Sequence, residues 1–171
     1  MEYFIFCPRC KSKLENNPDF FKCKSCGQVI YKNSAPTASV LIIRGNKVLL
    51  AKRAFEPFKG KYDIIGGFLK YGEDPLTGVL REVKEETSLE ITILDILGIY
   101  MDTYGKDGIE TLNIIYIGKI VNGKMKASDD VAELEWFPIN KLPKPAFKGQ
   151  VKAFKDLQKW FLSRGAENMK S

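Results

Sequence analysis

Residues 67–89 read GFLKYGEDPLTGVLREVKEETSL and contain the clearest structural signal of the sequence. Asp74 followed by Pro75 predicts the start of a helix, because Asp is a favoured N-cap and Pro suits the first helical position. Over a helix of about fourteen residues at about 100° each, the apolar side chains share one face: Leu76, Val79, Leu80 and Val83. Three carboxylates lie beside that face: Glu82, Glu85 and Glu86. The sequence therefore predicts a helix that packs on one side and presents carboxylates on the other.

These carboxylates are crowded in a way that is unfavourable unless a cation offsets their charge. Glu82 and Glu86 are like charges four residues apart in the carboxy-terminal half of the helix, where the helix dipole is already negative. Arg81 and Lys84 offset part of that charge, and an ordinary solvated surface is the alternative interpretation. Carboxylate oxygens are ligands that suit Mg²⁺ or Mn²⁺. The pattern favours a site for a divalent cation.

The spacing of residues around this helix matches a known motif. Glu73 follows Gly67 after five residues, and seven more precede the charged run at 81–86. This arrangement resembles the Nudix box, Gx5Ex7REUxEExGU, with family-like features from about residue 37 to 163. Ser88 stands where the family usually has Gly, and Ile65 where many members have Pro. The chain is therefore similar to the Nudix hydrolases.

The Nudix resemblance implies metal-dependent hydrolysis of a phosphoanhydride bond. It makes Glu82 and Glu86 primary ligands of Mg²⁺ or Mn²⁺, and Glu85 a further ligand or the group that activates water. Arg81, paired with Glu73, would orient these ligands. The expected substrate is a small nucleotide, cleaved to a nucleoside monophosphate and a phosphorylated second product.

The same resemblance suggests a further metal ligand from a loop near the end of the sheet. Asp130 occupies that position, before a strand expected at 134–138. Asp129 and Glu133 are alternatives, and so is an acidic surface turn without a metal. Substrate contacts are assigned to four residues: Arg53, Phe55, Gly66 and Gly67.

The segments around the box read as strands. A hairpin over 38–44 and 47–53 turns at Gly45-Asn46, and a strand at 62–65 leads into Gly66-Gly67. Long β-type runs follow at 91–103 and 111–121. We expect an α/β fold, namely a Nudix α/β/α sandwich with a mixed sheet. Domain limits are placed at 1–33, 34–163 and a tail at 164–171.

Four cysteines form two CxxC pairs separated by twelve residues: Cys7, Cys10, Cys23 and Cys26. Two such turns supply a tetrahedral thiolate cage for a structural Zn²⁺, and two disulfides are the alternative. The segment 1–33 holds too few large apolar residues for a core of its own, so zinc is expected to stabilise it. It resembles a zinc ribbon, which could brace a neighbour, support dimerisation or contact nucleic acid.

Composition limits the chemistry and the partners. The 171 residues include no His, so imidazole bases and His metal ligands are excluded. The apolar runs are too short for a membrane span, and 1–6 is too short for a signal peptide. We expect a cytoplasmic protein that does not contact a membrane. A homodimer is suggested by the family resemblance alone.

The net charge of +6 comes from the carboxy-terminal part, where 140–171 holds eight basic and two acidic residues. Four lysines follow helical spacing: Lys148, Lys152, Lys155 and Lys159. An apolar stripe runs beside them: Phe147, Val151, Phe154 and Phe161. The lysines are expected to face solvent, and they could steer anionic substrates or bind RNA.

Three functions remain open at this stage. A zinc ribbon before a Nudix domain resembles the NAD(H) pyrophosphatases, but the SQPWPFP-like segment of that subgroup is missing after the box. ADP-ribose or a related dinucleotide is therefore as good a candidate as NAD(H). The second function is removal of an NAD-type or diphosphate cap from RNA. The third is a nucleotide-binding sensor without catalysis, which the complete carboxylate set disfavours.

Overall fold

The computed structural model describes residues 4–105 and 108–167. The chain divides into two compact units, Met1–Ser34 and Ala35–Ser171. The final helix ends at Glu167, so part of the tail predicted at 164–171 is helical. Residues 168–171 of that tail lie outside the described part. Among the described residues, no helix is both long enough and apolar enough to cross a membrane.

The first unit is a three-stranded antiparallel sheet with Cys7 and Cys23 buried in its core. Its strands are β1 (Leu14–Asn16), β2 (Phe20–Cys23) and β3 (Val29–Tyr31), in the order β1-β2-β3. A small core lies between them: Cys7, Leu14, Phe21 and Cys23. Half of this core is thiol, which agrees with a segment that has too few apolar residues to fold without support.

The second unit is one mixed sheet between two helices. Its elements are β4 (Ala35–Arg44), β5 (Lys47–Arg53), β6 (Tyr62–Asp63), β7 (Ile65–Phe68), α1 (Pro75–Thr87), β8 (Glu90–Tyr104), β9 (Ile109–Asn122), β10 (Val131–Pro138) and α2 (Lys148–Glu167). The main path is β10-β5-β4-β9-β8, with β6 on β5 and β7 on β4. Strands β4 and β9 are parallel and the other pairs are antiparallel. The predicted mixed sheet is confirmed.

Each helix packs on its own face of the sheet. Val79 and Val83 of α1 join one core with Val40 and Ile42, and α2 contributes Leu157 to a second core. Alternate residues of β4 and β5 point into these two cores, because side chains alternate between the faces of a sheet. The α/β/α sandwich predicted from the sequence is therefore the observed architecture.

Three local predictions were wrong. The single strand expected at 62–65 is two short strands, because Tyr62 pairs with β5 and Ile65 with β4. Leu76 and Leu80 are 44% and 37% exposed, since the buried side of α1 is rotated toward Glu86. On α2, Val151 is 42% exposed, and Ala153 and Leu157 are buried instead. The lysines at 148, 152, 155 and 159 face solvent as expected.

Candidate active site

The ends of α1 position its carboxylates. Asp74 caps the amino end, where its Oδ1 accepts from the backbone N–H groups of Leu76 (2.9 Å) and Thr77 (3.2 Å). At the other end Ser88 has φ 59°, and its N–H donates to the Lys84 carbonyl. Ser88 therefore adopts the left-handed conformation that favours Gly, so the turn survives the departure from the motif. The helix ends directly after the acidic run.

Arg81 donates hydrogen bonds to three carboxylates of the candidate site. Its Nε and Nη2 donate to the two carboxylate oxygens of Glu73 at 2.8 and 2.9 Å. Its Nη1 donates to Glu82 Oε1 at 2.6 Å and to Glu85 Oε2 at 2.9 Å. The charge of Arg81 lowers the pKa of Glu73 to about 2 through these hydrogen bonds. The predicted Arg81–Glu73 pair is present and fixes the arginine beside Glu82.

Glu86 is the buried carboxylate of the helix. It is 5% exposed, and its Oε2 accepts from the Gly66 N–H at 3.2 Å. Burial raises its pKa well above the ordinary value, and the charges of Asp130 and Glu82 raise it further. Burial also raises the pKa of Glu82, although Arg81 opposes the shift. Buried like charges of this kind are costly without a cation between them.

The glycine strand β7 lies against these carboxylates. A Cβ at Gly67 would lie 2.8 Å from the Cδ of Glu82, closer than real Cβ contacts. At Gly66, φ is +141° and a Cβ would lie 2.2 Å from the Ala38 carbonyl oxygen. Only glycine fits at these two positions, because the β7 backbone lies directly against its neighbours. The absence of side chains lets this backbone contact Glu82 and Glu86.

The acidic loop before β10 brings Asp130 to the same place. Asp130 and Glu86 line one small cavity together with Gly66 and Arg53. Main-chain bonds hold this loop: Ser128 N–H donates to the Glu86 carbonyl, and Ala54 N–H donates to the Asp130 carbonyl. The alternative Glu133 instead pairs with Lys52 at 3.2 Å. Of the acidic residues considered in that loop, Asp130 has the geometry of a partner for Glu86.

The donor set fits a hard divalent cation. Glu86 shares a cavity with Asp130, and Glu82 and Glu86 both lie against the glycine strand. Arg81 reaches Glu82 but is already bonded to Glu73 and Glu85. A small cation with several water ligands matches such a set of oxygens. Glu85 is 44% exposed at the rim, where it can contact a ligand or water.

Arg53 lies between two cavities. It lines the small cavity of Glu86 and Asp130, which we call the carboxylate cavity. It also lines a second cavity next to it, which is walled by aromatic side chains. Its Nη1 donates to Asp63 Oδ2 at 2.6 Å, and its guanidinium lies 5.3 Å from the ring centre of Phe147. Burial alone would lower the pKa of Arg53, but the bond to Asp63 raises it. Phe55 is 62% exposed and lies outside the residues that line either cavity.

Sequence reasoning missed several polar residues of the second cavity: Asp63, Asp102, Asn113 and Gln150. Asp63 and Asn113 lie in short apolar stretches of strand, and a polar residue in such a run is a signal that could have found them. Gln150 lies among lysines and aromatics on α2, where no pattern singles it out. These residues come together only through the sheet and the last helix.

The four cysteines of the first unit form a possible metal centre in the described structure, and all four are free thiols. Their sulfur atoms lie within 4.8 Å of one another. The Sγ atoms of Cys7 and Cys26 are 3.6 Å apart, and those of Cys10 and Cys23 are 3.4 Å apart. Tetrahedral Zn²⁺ with bonds of about 2.3 Å separates its sulfurs by about 3.8 Å. The cluster fits a closed thiolate site, and the disulfide alternative is wrong.

The chain is similar in sequence to several known proteins. The NUDIX domain family model matches residues 33–157. An ADP-ribose pyrophosphatase of Methanocaldococcus jannaschii is 37% identical over 131 residues, which cover 77% of each chain. An NAD-capped RNA hydrolase, NudC, of Pseudomonas aeruginosa is 29% identical over 142 residues, covering 81% of this chain. The chain spans about half of that relative's length, with 49% covered.

Solved structures share the fold. A NUDIX hydrolase from Nitrosomonas europaea superposes with a TM-score of 0.76 at 22% identity, covering 95% of this chain and 93% of the other. A MutT protein from Methanosarcina mazei gives a TM-score of 0.64 at 24% identity, covering 76% of this chain and 96% of the other. At these identities the likeness concerns the fold alone.

Proposed function

This chain belongs to the NUDIX family, and we propose that it hydrolyses the diphosphate of ADP-ribose or a related dinucleotide such as NAD(H). The observation that carries the proposal is that Glu82 and Glu86 lie against the glycine strand, with Asp130 in the same cavity as Glu86. The ADP-ribose pyrophosphatase relative, similar over most of both chains, supports the choice of substrate.

In the proposed reaction, water attacks one phosphorus of the diphosphate, and the bond from that phosphorus to the bridging oxygen breaks. ADP-ribose then yields AMP and ribose 5-phosphate, and the proton of the water passes to a base or to solvent. Bound Mg²⁺ or Mn²⁺, held by Glu82, Glu86 and Asp130, would neutralise the diphosphate and lower the pKa of its bound water. Glu85, at the exposed rim, is the residue that could add a ligand or accept the proton.

The remaining residues hold this arrangement in place. Arg81 keeps Glu82 in one position while Glu73 fixes Arg81 by a two-point contact. The Gly66 N–H orients Glu86. Arg53 places a positive charge between the two cavities, next to where the diphosphate would lie. In the first unit the four cysteines would hold a structural Zn²⁺, which stabilises that sheet without entering the reaction.

The test is turnover of a substrate panel by the purified full chain with Mg²⁺ or Mn²⁺, with products separated chromatographically. The panel contains ADP-ribose, NADH, NAD⁺, diadenosine polyphosphates, nucleoside triphosphates and sugar nucleotides. We expect AMP and ribose 5-phosphate from ADP-ribose, or AMP with a mononucleotide from NADH. Turnover confined to nucleoside triphosphates, or none at all, would contradict the proposal.

A second candidate function is removal of an NAD cap from RNA. NudC relatives and the exposed lysines of α2 favour it. Reversing charge in a Lys152→Glu/Lys155→Glu variant should slow turnover of NAD-capped RNA and spare free NADH, because only RNA extends beyond the cavities. A Lys47→Glu/Lys119→Glu variant, also exposed, is the matched control. Equal effects on both substrates would exclude this role for the lysines.

The oligomeric state and the cellular location are two further proposals. We propose a cytoplasmic location, and the family resemblance suggests a homodimer. Light scattering of the eluting protein measures its mass directly, and a value near the 19.4 kDa of one chain would contradict the dimer.

A further inference from the structure

Two buried oxygen atoms lack hydrogen-bond partners within the described residues, and they belong to side chains that line the same cavity. They are Oε1 of Gln150 and Oδ1 of Asn113. Gln150 is 5% exposed, so water does not replace the missing partner easily. Buried acceptors are normally satisfied, because an unpaired one costs free energy. Two of them at one cavity indicate a ligand that supplies hydrogen-bond donors.

The direction of the Gln150 amide is fixed by its neighbours. Its Nε2 donates to Asp63 Oδ1, which also accepts from the Ile64 N–H. The other oxygen of Asp63 accepts from Arg53 Nη1. Since this carboxylate accepts at both oxygens, Gln150 must present its NH₂ group to Asp63. Its carbonyl oxygen then faces away from Asp63 and is free to accept from a ligand.

The walls of the cavity suit a flat ring. Tyr104 stacks on Phe147 with ring centres 5.7 Å apart and planes 19° apart, and Phe68 meets Tyr104 edge-on at 5.2 Å. Aromatic walls of this kind bind planar groups. Arg53 and Gly66 line both this cavity and the carboxylate cavity, so a base seated here belongs to the molecule whose diphosphate reaches Glu86.

We propose that this cavity selects a base that carries an exocyclic amino group, with Gln150 Oε1 and Asn113 Oδ1 as the acceptors. The inference rests on the proposed function and narrows its substrate class. The amino group of adenine and the carboxamide of nicotinamide share this chemistry. A base with an oxygen in place of the amino group would put an acceptor against the two acceptors of the cavity, so it is rejected. A purely apolar pocket would not distinguish two bases of the same shape in this way. Asp63 is a positioning residue, because it acts through Gln150.

The test measures kcat/KM for ADP-ribose against inosine diphosphate ribose, in which an oxygen replaces the amino group. The matched pair for nicotinamide is NADH against its nicotinic acid counterpart. Calorimetric binding of AMP against IMP, and of nicotinamide against nicotinic acid mononucleotide, gives a readout without turnover. In at least one pair, we expect the kcat/KM of the wild type to be about tenfold or more higher for the substrate that carries the amino group. The pair that shows the preference identifies the base.

Variants assign the preference to named atoms. Gln150→Met and Asn113→Leu each remove one acceptor, and each should cut the preference to about threefold or less by lowering turnover of the amino-bearing substrate. Gln158→Met is the control on the same helix, because Gln158 donates to the Ile139 carbonyl and lies outside the cavity. It should keep the wild-type ratio. The ratio of kcat/KM values for the wild type can be measured whether or not the variants fold.

The outcomes separate the two claims. Equal hydrolysis within both pairs, ADP-ribose with inosine diphosphate ribose and NADH with its nicotinic acid counterpart, would overturn the amino-group inference and leave the proposed function intact. Preferential binding of AMP over IMP without hydrolysis would support the cavity and contradict the proposed function. A preference that both cavity variants retain would overturn the assignment to Gln150 and Asn113.

Discussion

At the scale of single residues, Glu86 is a buried carboxylate facing two other acidic residues. In protein without metal, its charge is opposed by burial and by Asp130 and Glu82. Glu86→Gln removes that charge and can keep the bond from the Gly66 N–H. We therefore expect the metal-free variant to be more stable by about 1 kcal/mol, which raises Tm by about 2–4 °C in calorimetry.

The control for this prediction is Glu135→Gln, because Glu135 is a carboxylate of β10 that does not line the carboxylate cavity. Since Tyr62 donates to Glu135, that change should not stabilise the protein. A lower Tm for metal-free Glu86→Gln would show that the Glu86 charge is compensated by something other than a cation.

Arg81 gives a second prediction at this scale. Arg81→Lys keeps the charge but loses the two-point contact with Glu73 and the fork to Glu82. We expect kcat to fall about 10–100-fold with a smaller change in KM, because ligand orientation rather than substrate binding is disturbed. Arg44→Lys is the matched control, since Arg44 lies over the Trp136 ring at 4.2 Å. Steady-state kinetics with unchanged kcat for Arg81→Lys would contradict the orienting role.

Local spacing explains which residues of the site the sequence could indicate. Glu82, Glu86 and Arg81 lie within two turns of one helix, so their shared neighbourhood follows from helical geometry. Gln150 and Asp63 are separated by 87 positions, and their contact depends on how α2 returns to the sheet. Pattern analysis along the chain carries no information about that contact. This is why the carboxylates could be predicted from the sequence, whereas the polar residues of the second cavity could not.

At the scale of elements, the end of α1 carries a strained residue. Ser88 has φ 59°, a conformation that is unfavourable for residues with a Cβ. Ser88→Gly should stabilise the protein by about 0.5–1 kcal/mol and leave activity unchanged, since within the described residues the Ser88 side chain makes no hydrogen bond or ion pair with the site. Denaturant unfolding measures this change, and Ser88→Ala, which keeps the Cβ, should show no gain. Equal stability of both variants would exclude strain at this turn.

The same helix shows where periodicity is insufficient at this scale. Its bounds followed from Asp74 and Pro75, but its rotation did not follow from apolar residues alone. Leu76 and Leu80 are partly exposed because the inward side includes the polar Glu86. A buried carboxylate on the inward side therefore accompanies a helix rotation that hydrophobicity alone does not predict. The difference lies at the candidate site, where local rules are expected to hold least well.

At the scale of the whole molecule, the chain consists of two units with different sources of stability. The sequence indicated both, because cysteine spacing and the Nudix box are each local signals. The sandwich has two apolar cores, whereas the first unit has one small core that includes thiols. What the sequence could not give is the joint lining of the second cavity by strands and α2, which is a property of the assembled sheet.

Zinc binding is tested best on the full chain. Cys10 is exposed, so Cys10→Ser disturbs little packing but removes one of four ligands. We expect the metal content by mass spectrometry to fall from about one Zn²⁺ per chain to well below one. Ser25→Ala, also exposed in the second CxxC turn, should retain zinc. Full zinc content in Cys10→Ser would contradict the four-thiolate site.

The most direct measurement is the rate of AMP formation from ADP-ribose by wild type and Glu86→Gln, with Mg²⁺ and with chelator. Both proteins are first shown to be folded by calorimetry. We predict AMP and ribose 5-phosphate from the wild type with Mg²⁺, and a rate at least about 100-fold lower for Glu86→Gln or after chelation. Hydrolysis by Glu86→Gln at the wild-type rate would contradict the assignment of the carboxylate cavity as the active site.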